Sequence, residues 1–338
     1  KKTMNIKPPY LIAEIGQAHD GSLGIAHSYI EALKDSGVDA IKFQIHVADA
    51  ESSIYEPFRI NFSYEDKNRY DYWKRMEFNF EQWIGLKNHC NDFGFDFILS
   101  PFSVEALEIT NQLGCKTLKL GSGETSNKLL LDLACQMDFE NIIFSNGLCN
   151  EEELDYTVHK IISSNKNPFL LQCTTQYPSQ PENWKLNQIK VLHDRYEIPI
   201  GYSDHSGHFS SSIAAFVLGA EILEFHVVFD KRMFGPDATS SLTIEETKLL
   251  VYSLRQLNQS LTTKTSFDEQ NHFNRKIFTK SLSLRSNLNK GSKIELQSLE
   301  TKKPSGKGIS VNEYDKILGK TTTRNLHKGD FLNYKDIE

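Results

Sequence analysis

The sequence lacks the cysteine spacing that marks a disulfide framework or a structural zinc site. Its 338 residues contain only five cysteines, and no two of them are arranged as C-x-x-C. Disulfide-stabilised domains and zinc knuckles usually carry closely spaced cysteines in even numbers. We therefore expect free thiols and a reducing, cytoplasmic location.

Long apolar runs and clusters of basic residues are also missing. No stretch approaches the roughly 18 consecutive apolar residues of a membrane helix, and the apolar run in KKTMNIKPPYLIAEIG is too short for a signal peptide. The net charge is −6, whereas binding to nucleic acid needs clustered Lys and Arg. We therefore expect no membrane partner and no nucleic-acid partner.

The sequence instead alternates short apolar runs with longer amphipathic segments, in which apolar residues recur at helical spacing. Eight runs have the length of buried strands: LIAEI, DAIKFQ, FDFILS, KTLKL, NIIFS, FLLQC, IPIGYS and EILEFH. Eight strands that alternate with helices over about 260 residues predict a (β/α)8 TIM barrel. A doubly wound open sheet is the alternative, but GQAHDG after the first strand is not a Gly-rich dinucleotide-binding turn.

Two segments interrupt this alternation. Residues 46–78 are too long for a plain loop, and in a barrel they would lie on the face where active sites form. They either face a substrate or form a surface insertion. After residue 258 a polar linker at 259–279 precedes short β-type runs with Lys-Gly turns. We predict a barrel domain at 1–258 and a small, mostly irregular domain with short strands at 280–338.

Polar side chains recur where the predicted strands end. In a TIM barrel these ends carry the catalytic groups, and a charge inside an apolar run is costly unless it is paired or used. The residues concerned are Glu14, Lys42, Gln44, Ser100, Lys119, Thr174, Thr175, Tyr177, Ser203, Asp204, His205, Glu224 and His226. Their recurrence predicts a functional site at this face of the barrel.

Two lysines and a glycine-rich turn favour an anion site. Lys119 lies just before GSGE at 121–124, a turn whose backbone N–H groups can cradle an anionic oxygen. Together with Lys42 on another strand, this turn suits a phosphate or a carboxylate. In the alternative interpretations, Lys119 extends to the surface and Glu14 is only a structural salt-bridge partner of Lys42.

Two histidines, His205 in GYSDHS and His226 in EFHVV, end the last two predicted strands. A single histidine there would commonly be a hydrogen-bonded core residue. Because adjacent strands lie about 4.8 Å apart, these two imidazoles can share one divalent ion such as Mn, Fe, Co or Zn, with positions left for water and substrate. Asp204 would either orient a ligand or cap the local structure.

Together these motifs resemble the N-acetylneuraminate (sialic acid) synthase family over nearly the whole chain. The matching segments are AEIGQAHDGS, DAIKFQ, FILSPFS, KLGSGE, CTTQYP, GYSDHS, EFHVVFDKRMFGPD and KKPSGKGISVNEYDKILGK. The resemblance implies a TIM barrel followed by an antifreeze-like (SAF) domain. It also implies a homodimer in which the small domain of one subunit covers the barrel of the other.

The resemblance further implies the reaction and its site. Phosphoenolpyruvate and an open-chain N-acyl amino sugar, such as N-acetylmannosamine, condense to a nonulosonic (sialic-acid-type) 2-keto-3-deoxy sugar acid and phosphate. The resemblance puts Mn²⁺, or alternatively Mg²⁺ or Co²⁺, on His205 and His226, and proton transfer on Glu14 and Glu124 without separating their roles. It puts the substrates at Lys42, Ser100, Lys119, Ser122, Thr175, Tyr177, Ser203, Asp237 and Lys303.

The sequence departs from the family where the sugar would bind. Ala18 and Thr175 stand where the family commonly has Asn, Lys303 stands where it has Arg, and segment 46–78 is unlike that of typical members. Since Lys lacks the planar fork of Arg, these changes predict an aldose other than plain N-acetylmannosamine.

Two other functions stay open. One is a related phosphoenolpyruvate-dependent synthase, or another barrel aldolase, acting on a phosphorylated sugar. Basic residues for that phosphate are available in segment 46–78 at Arg59, Lys67, Arg69, Lys74 and Arg75. The other is a sugar-binding protein without catalytic activity, against which the intact pairs of histidines and lysines argue.

Overall fold

Eight parallel strands form a closed ring in the computed structural model, which describes residues 8–263 and 272–338. Each strand pairs with the next along the chain, and the eighth closes the ring by pairing with the first. This closure confirms the predicted TIM barrel, because an open doubly wound sheet keeps two free edges. The strands are β1 (Tyr10–Gly16), β2 (Ala40–Ile45), β3 (Asp96–Pro101), β4 (Thr117–Leu120), β5 (Asn141–Ser145), β6 (Asn167–Cys173), β7 (Ile200–Asp204) and β8 (Ile222–Val228).

Helices connect these strands, and polar side chains begin many of them. Ser22, Asn79, Ser103 and Asn150 each accept a hydrogen bond from the backbone N–H three residues later, which satisfies a donor at the helix start. A two-residue strand, β9 (Leu242–Thr243), pairs beside β8. The helices are α1 (Leu23–Leu33), α2 (Ala48–Glu51), α3 (Arg69–Met76), α4 (Phe80–Asp92), α5 (Val104–Gln112), α6 (Lys128–Gln136), α7 (Glu151–Ser163), α8 (Gln188–Arg195), α9 (Phe209–Val217) and α10 (Ile244–Thr262).

The interior of the barrel has an apolar layer below a polar one. Side chains along a strand alternate between its two faces, so every second residue points inward. Near the strand starts, the inward residues form one buried apolar cluster of Tyr10, Ile12, Ala40, Ile98, Ile143, Phe169, Leu171 and Ile222. Beyond this cluster the inward positions of most strands become polar, as at Glu14 after Ile12 and Lys42 after Ala40. The apolar layer thus supports the polar layer.

Gly201 shows how tightly the apolar layer is filled. A Cβ at this position would lie 2.4 Å from Leu171 Cδ2 and 2.5 Å from the carbonyl oxygen of Ile222. Both distances are well below van der Waals contact, so even alanine would clash here. The glycine that begins the GYSDHS motif is therefore required by packing rather than by turn geometry.

Segment 46–78 is a structured element of its own. It contains α2 and α3, and it packs Ala48, Tyr72, Trp73 and Met76 into a small buried cluster. Arg75 ties the segment internally to Asp66 at 2.8 Å and externally to Asp20, after β1, also at 2.8 Å. These contacts hold the segment against the loop that follows β1.

The chain divides into two compact units, with the boundary between Thr262 and Thr263. In the second unit two short antiparallel strands pair, and most other residues are irregular. Its core consists of Leu282, Leu284, Ile294, Ile309, Ile317, Leu326, Leu332 and Ile337. Its regular elements are α11 (His272–Phe278), β10 (Ser281–Leu284), β11 (Leu299–Lys302) and α12 (Tyr314–Ile317). This agrees with the small, mostly irregular domain with short strands that the sequence predicts.

Some element boundaries differ from those predicted. Helix α10 continues to Thr262, past the predicted domain end at 258. Helix α11 falls in the segment predicted as a linker, of which residues 264–271 lie outside the described residues. Helix α8 begins only at Gln188, after Lys185, whose φ of 52° a right-handed helix does not allow. Among the described helices, none is long and apolar enough to cross a membrane.

Candidate active site

Two buried lysines share one buried glutamate in the polar layer of the barrel. Glu224 Oε1 lies 3.6 Å from the Nζ atoms of both Lys42 and Lys119. Lys42 also forms an ion pair of 2.9 Å with Glu14, and Lys119 donates a hydrogen bond of 2.9 Å to Ser145. The salt bridge between Glu14 and Lys42 that the sequence left open is therefore present. Lys119 does not extend to the surface, since only 2% of it is exposed.

The two lysines differ in how well their charges are balanced. Burial alone would raise the pKa of Glu224, but the ammonium groups of Lys119 and Lys42 lower it to about 2. At Lys42 burial would lower the pKa of the ammonium group, but the attraction of Glu14 and Glu224 outweighs this effect and raises it. At Lys119 burial prevails over the attraction of Glu224, and repulsion from Lys42 lowers the pKa further. Lys119 is thus the cation that gains most from an additional negative charge.

Glu224 also has an unused oxygen. Its Oε1 atom accepts a hydrogen bond of 3.2 Å from Ser203, which is its register partner on β7. Its Oε2 atom is buried and has no hydrogen-bond partner among residues 8–263 and 272–338. A buried carboxylate oxygen without a partner is costly, so such an atom marks a place that a ligand or water completes.

Three predicted hydroxyl groups, on Ser100, Ser122 and Thr175, lie near two glycines that follow β4 and β5. A Cβ on Gly121 would lie 4.0 Å from Ser100 Oγ. A Cβ on Gly147 would lie 2.4 Å from Thr175 Oγ1 and 2.8 Å from Ser122 Oγ. Gly147 therefore leaves room for the hydroxyl groups of Thr175 and Ser122, which a side chain there would displace.

The two predicted imidazoles lie beside each other. The ring centroids of His205 and His226 are 5.4 Å apart, and the ring planes are tilted by 54°. His205 Nδ1 lies 2.9 Å from the carbonyl oxygen of Thr174, a contact in which the imidazole must donate. This hydrogen bond leaves Nε2 as the nitrogen that can bind a metal or another ligand. The ring of Tyr177 stacks on His205 at 4.1 Å.

The imidazoles of His205 and His226 could provide two nitrogen ligands to a metal ion. Within the described residues, no group of three or more His, Cys, Asp or Glu side chains is arranged to hold an ion. Burial lowers the pKa of His226, which favours its neutral, ligating form. Burial likewise lowers the pKa of His205, but Cys173, the Thr174 carbonyl and Asp237 raise it to about 9, so a metal there would displace a proton. This donor set fits a divalent ion whose other positions are filled by water or substrate.

Asp204 caps the turn after β7. Its carboxylate accepts hydrogen bonds from the backbone N–H of Ser206 at 2.8 Å and from the hydroxyl of Ser212 at 2.9 Å, and Ser211 donates to it as well. Of the two roles considered for this residue, the structure supports the cap. It holds the loop that carries His205.

A cavity of about 330 Å³ lies next to the imidazoles, because Tyr177 both lines it and stacks on His205. Three predicted site residues line this cavity: Glu124, Tyr177 and Asp237. Segment 46–78 supplies much of the remaining wall with His46, Glu51, Glu56, Arg59, Arg69 and Trp73. The segment therefore faces the cavity and is not a plain surface insertion.

The two carboxylates predicted for proton transfer occupy different environments. Glu14 is buried in the ion-pair layer, where it accepts a hydrogen bond of 2.8 Å from Gln44. Glu124 lines the cavity, and burial raises its pKa although Asn127 donates to it at 2.8 Å. A carboxyl group with a raised pKa beside a cavity suits proton transfer better than one held in an ion pair.

The sequence predicts most of the residues that the structure brings together here, but it does not predict the contacts of Glu224 and Arg59. Of the predicted residues only Lys303 belongs to the second unit, where its Nζ atom lies 5.2 Å from the centre of the Phe278 ring. Glu224 was recognised only as a polar strand-end residue, although it links both lysines. Its position two residues before His226, on the same face of the strand, was the available signal. Arg59 was considered only for a phosphate, and its actual partner is Asp237 at 2.6 Å.

Comparisons with known proteins agree with this geometry. The model of the NeuB family matches residues 29–266, and that of the SAF domain matches residues 279–338. An N,N'-diacetyllegionaminic acid synthase of Campylobacter jejuni is 31% identical, with 97% of this chain and 99% of that protein covered. The human N-acetylneuraminate-9-phosphate synthase is 29% identical, with 96% of this chain and 91% of that protein covered.

A solved structure shows the same similarity in three dimensions. The N-acetylneuraminic acid (sialic acid) synthetase of Leptospira borgpetersenii, crystallised in complex with citrate, superposes with a TM-score of 0.71 at 28% identity. The match covers 81% of this chain and 95% of the Leptospira chain.

We expect Glu224→Gln to destabilise the barrel by about 3 kcal/mol, because it leaves two buried lysines with one carboxylate fewer. The midpoint of urea unfolding measures this change. Glu245→Gln is the control, since Glu245 forms a 2.9 Å ion pair with Lys248 but is 81% exposed; we expect a change below about 1 kcal/mol there. Equal midpoints for the two variants would contradict the importance of Glu224.

Proposed function

The chain belongs to the NeuB family, and from this we propose that it condenses phosphoenolpyruvate with an open-chain N-acyl amino aldose. The products are a nonulosonic, 2-keto-3-deoxy sugar acid and phosphate. The observation that carries the proposal is the buried layer in which Lys42 and Lys119 share Glu224, next to two imidazoles and a cavity of about 330 Å³. This arrangement offers an anion site, two nitrogen ligands and room for a sugar.

Phosphoenolpyruvate fits the polar layer because it carries a carboxylate and a phosphate. The ammonium group of Lys119 gains most from such an anion, and Lys42 lies on the other side of Glu224. Hydroxyl groups that can donate to its oxygens come from Ser100, Ser122 and Ser203. Charge-assisted hydrogen bonds of this kind are the strong ones in a buried site.

The reaction makes one carbon–carbon bond and breaks one bond to phosphate. The enol carbon of phosphoenolpyruvate attacks the aldehyde carbon, whose oxygen takes up a proton and becomes a hydroxyl group. Water then adds to the cation at C2, and phosphate leaves as the keto group forms. Glu124 is the proton-transfer group that we propose, since it lines the cavity and burial raises its pKa. Glu14 holds Lys42 in place at 2.9 Å.

A divalent ion on His205 and His226 completes the proposal, with Mn²⁺ as the expected ion and Mg²⁺ or Co²⁺ as alternatives. What the bound ion would supply is polarisation of the aldehyde oxygen. Two neighbouring residues hold the imidazole of His205 in position: the carbonyl of Thr174 accepts its Nδ1–H, and the ring of Tyr177 stacks on it. Orientation of a ligating imidazole by such a partner is a common property of metal sites.

The charges along the cavity favour an unphosphorylated sugar. Four carboxylates line it, at Glu51, Glu56, Glu124 and Asp237, against two guanidinium groups. Arg59 is paired with Asp237 at 2.6 Å and Arg69 with Glu56 at 3.3 Å, so the charge of each guanidinium group is already balanced by a carboxylate. Two further candidates are also paired, because Lys74 lies 2.7 Å from Asp49 and Arg75 lies 2.8 Å from Asp66. Among the five basic residues considered for a phosphosugar, Lys67 alone has no described ion pair.

We propose a homodimer in which the SAF domain of one subunit covers the barrel of the other. Beside the cavity, Tyr64 and Phe234 pack edge to face at 5.4 Å although they are 88% and 64% exposed. Exposed aromatic side chains that touch each other commonly mark a surface that a partner covers.

A panel of aldoses tests the reaction. We expect phosphate release from phosphoenolpyruvate with Mn²⁺ only when an aldose is present. The value of kcat/KM should be at least about tenfold higher for a neutral N-acyl amino aldose than for N-acetylmannosamine 6-phosphate, since repulsion by carboxylates opposes the phosphate. The panel includes N-acetylmannosamine and a di-N-acetylated amino hexose. A preference for the phosphosugar would contradict the expected repulsion of a phosphate by the cavity carboxylates. A preference for plain N-acetylmannosamine would contradict the expectation that the enzyme uses a different aldose.

Substitution of the histidines tests the metal site. His205→Ala and His226→Ala should each lower activity by about 100-fold or more and remove the Mn²⁺ that electron paramagnetic resonance detects on the wild-type protein. His208→Ala is the control, because His208 is an exposed histidine at the start of α9. Circular dichroism checks that each variant is folded. Wild-type activity or full Mn²⁺ binding in either ligand variant would refute the assignment.

Sedimentation tests the dimer. We expect the wild-type protein to sediment as a dimer at micromolar concentration, and Phe234→Asp to shift it toward the monomer because a buried charge opposes association. Tyr252→Asp is the control, since Tyr252 is an equally exposed aromatic residue on α10 of the barrel. A wild-type monomer at these concentrations would contradict the proposed arrangement.

A further inference from the structure

Arg59 joins segment 46–78 to the opposite side of the cavity. Its Nη2 atom donates hydrogen bonds of 2.6 Å to Asp237 Oδ1 and 2.9 Å to the carbonyl oxygen of Pro236. Its guanidinium carbon lies 4.0 Å from the centre of the Tyr177 ring. Asp237 and Tyr177 line the cavity as well, so Arg59 is fixed among the residues that would meet the sugar.

Arg59 keeps donors available after these contacts. Both of its protein hydrogen bonds come from Nη2, and within the described part of the chain its Nε and Nη1 atoms have no acceptor. The side chain is 35% exposed and lines the cavity, so a bound molecule can reach it. A guanidinium group carries five N–H donors in one plane, of which this arrangement leaves several unused.

The charge around Arg59 favours a neutral oxygen as the acceptor of these donors. Asp237 already balances the guanidinium charge at 2.6 Å. Glu51 and Glu124 line the same cavity and would repel a phosphate or a carboxylate. A carbonyl oxygen accepts N–H donors without bringing a charge into this environment.

An apolar surface lies in the same cavity. The ring of His46 is stacked between Trp73, at 3.9 Å between ring centroids, and Phe102, at 4.9 Å. All three side chains line the cavity, and aromatic faces pack well against small apolar groups. A carbonyl oxygen next to a small apolar group is the structure of an N-acyl substituent.

We propose that Arg59 binds the N-acyl carbonyl oxygen of the acceptor sugar and thereby determines the selectivity for N-acyl amino aldoses over plain aldoses. The inference rests on the proposed function and adds the residue that recognises the acyl group. Tyr177 and Asp237 position the guanidinium group for this contact, and the stack of His46, Trp73 and Phe102 takes the apolar part of the acyl group.

Arg59→Lys tests this inference, because lysine keeps the charge opposite Asp237 and loses the planar donors. The substrates are the best N-acyl aldose of the panel and the same aldose with a hydroxyl group in place of the acylamino group. We expect the KM of the N-acyl aldose to rise about tenfold, the typical cost of losing a hydrogen bond to a charged group. The KM of phosphoenolpyruvate and that of the plain aldose should stay within about twofold. Where the plain aldose reacts too slowly, its inhibition constant replaces the KM.

Arg195→Lys is the matched control. Arg195 is paired with Asp155 at 2.7 Å, as Arg59 is with Asp237, but it lies on α8 and does not line the cavity. We expect all kinetic constants of this variant to equal those of the wild type.

Two results would overturn the role of Arg59: an unchanged KM for the N-acyl aldose in Arg59→Lys, or an equal rise for both aldoses, which would indicate a merely structural function. Failure of the proposed function is seen separately, as a wild-type protein that releases no phosphate with any aldose.

Discussion

The ion pairs of Glu224 with Lys42 and Lys119 are the interaction on which the rest of the site depends. Three charged side chains lie inside the barrel on three different strands, with Glu14 on a fourth, and each alone would be too costly to bury. They are stable together because the strands close into a ring that brings distant parts of the chain side by side. The apolar layer beneath, packed tightly enough to require glycine at 201, keeps water from reaching them from the other end.

This network also explains why the site suits an anionic substrate. The positive charge of Lys119 is only partly balanced, and one oxygen of Glu224 lacks a partner in the described structure. An arriving phosphoenolpyruvate would find a preorganised cation instead of having to order one. The imidazoles of His205 and His226 lie two residues beyond Ser203 and Glu224 along the chain, so the two proposed metal ligands are neighbours of the polar layer.

A different part of the chain forms much of the cavity wall. Segment 46–78 forms its own small core and places Arg59 and Trp73 in the cavity wall, opposite residues contributed by the loops after β6 and β8. The relatives are named for acids that differ in their substituents, one of them diacetylated and another phosphorylated. Because the segment packs around its own small core, substitutions in it can change the cavity wall without disturbing the polar layer of the barrel.

Short apolar runs that alternate with helical segments determined the barrel, the eight strand positions and the strand ends at which polar residues recur. His205, His226, Lys42 and Lys119 could therefore be predicted as site residues from the sequence, since a strand end is a local property. The partners of these residues were decided only by the tertiary structure. Glu224 is separated from Lys42 by most of the barrel sequence, and Arg59 from Asp237 by a similar distance, so no local pattern could show either pair. Ion pairs and cavity walls depend on which strands and loops become neighbours, and ring closure settles that.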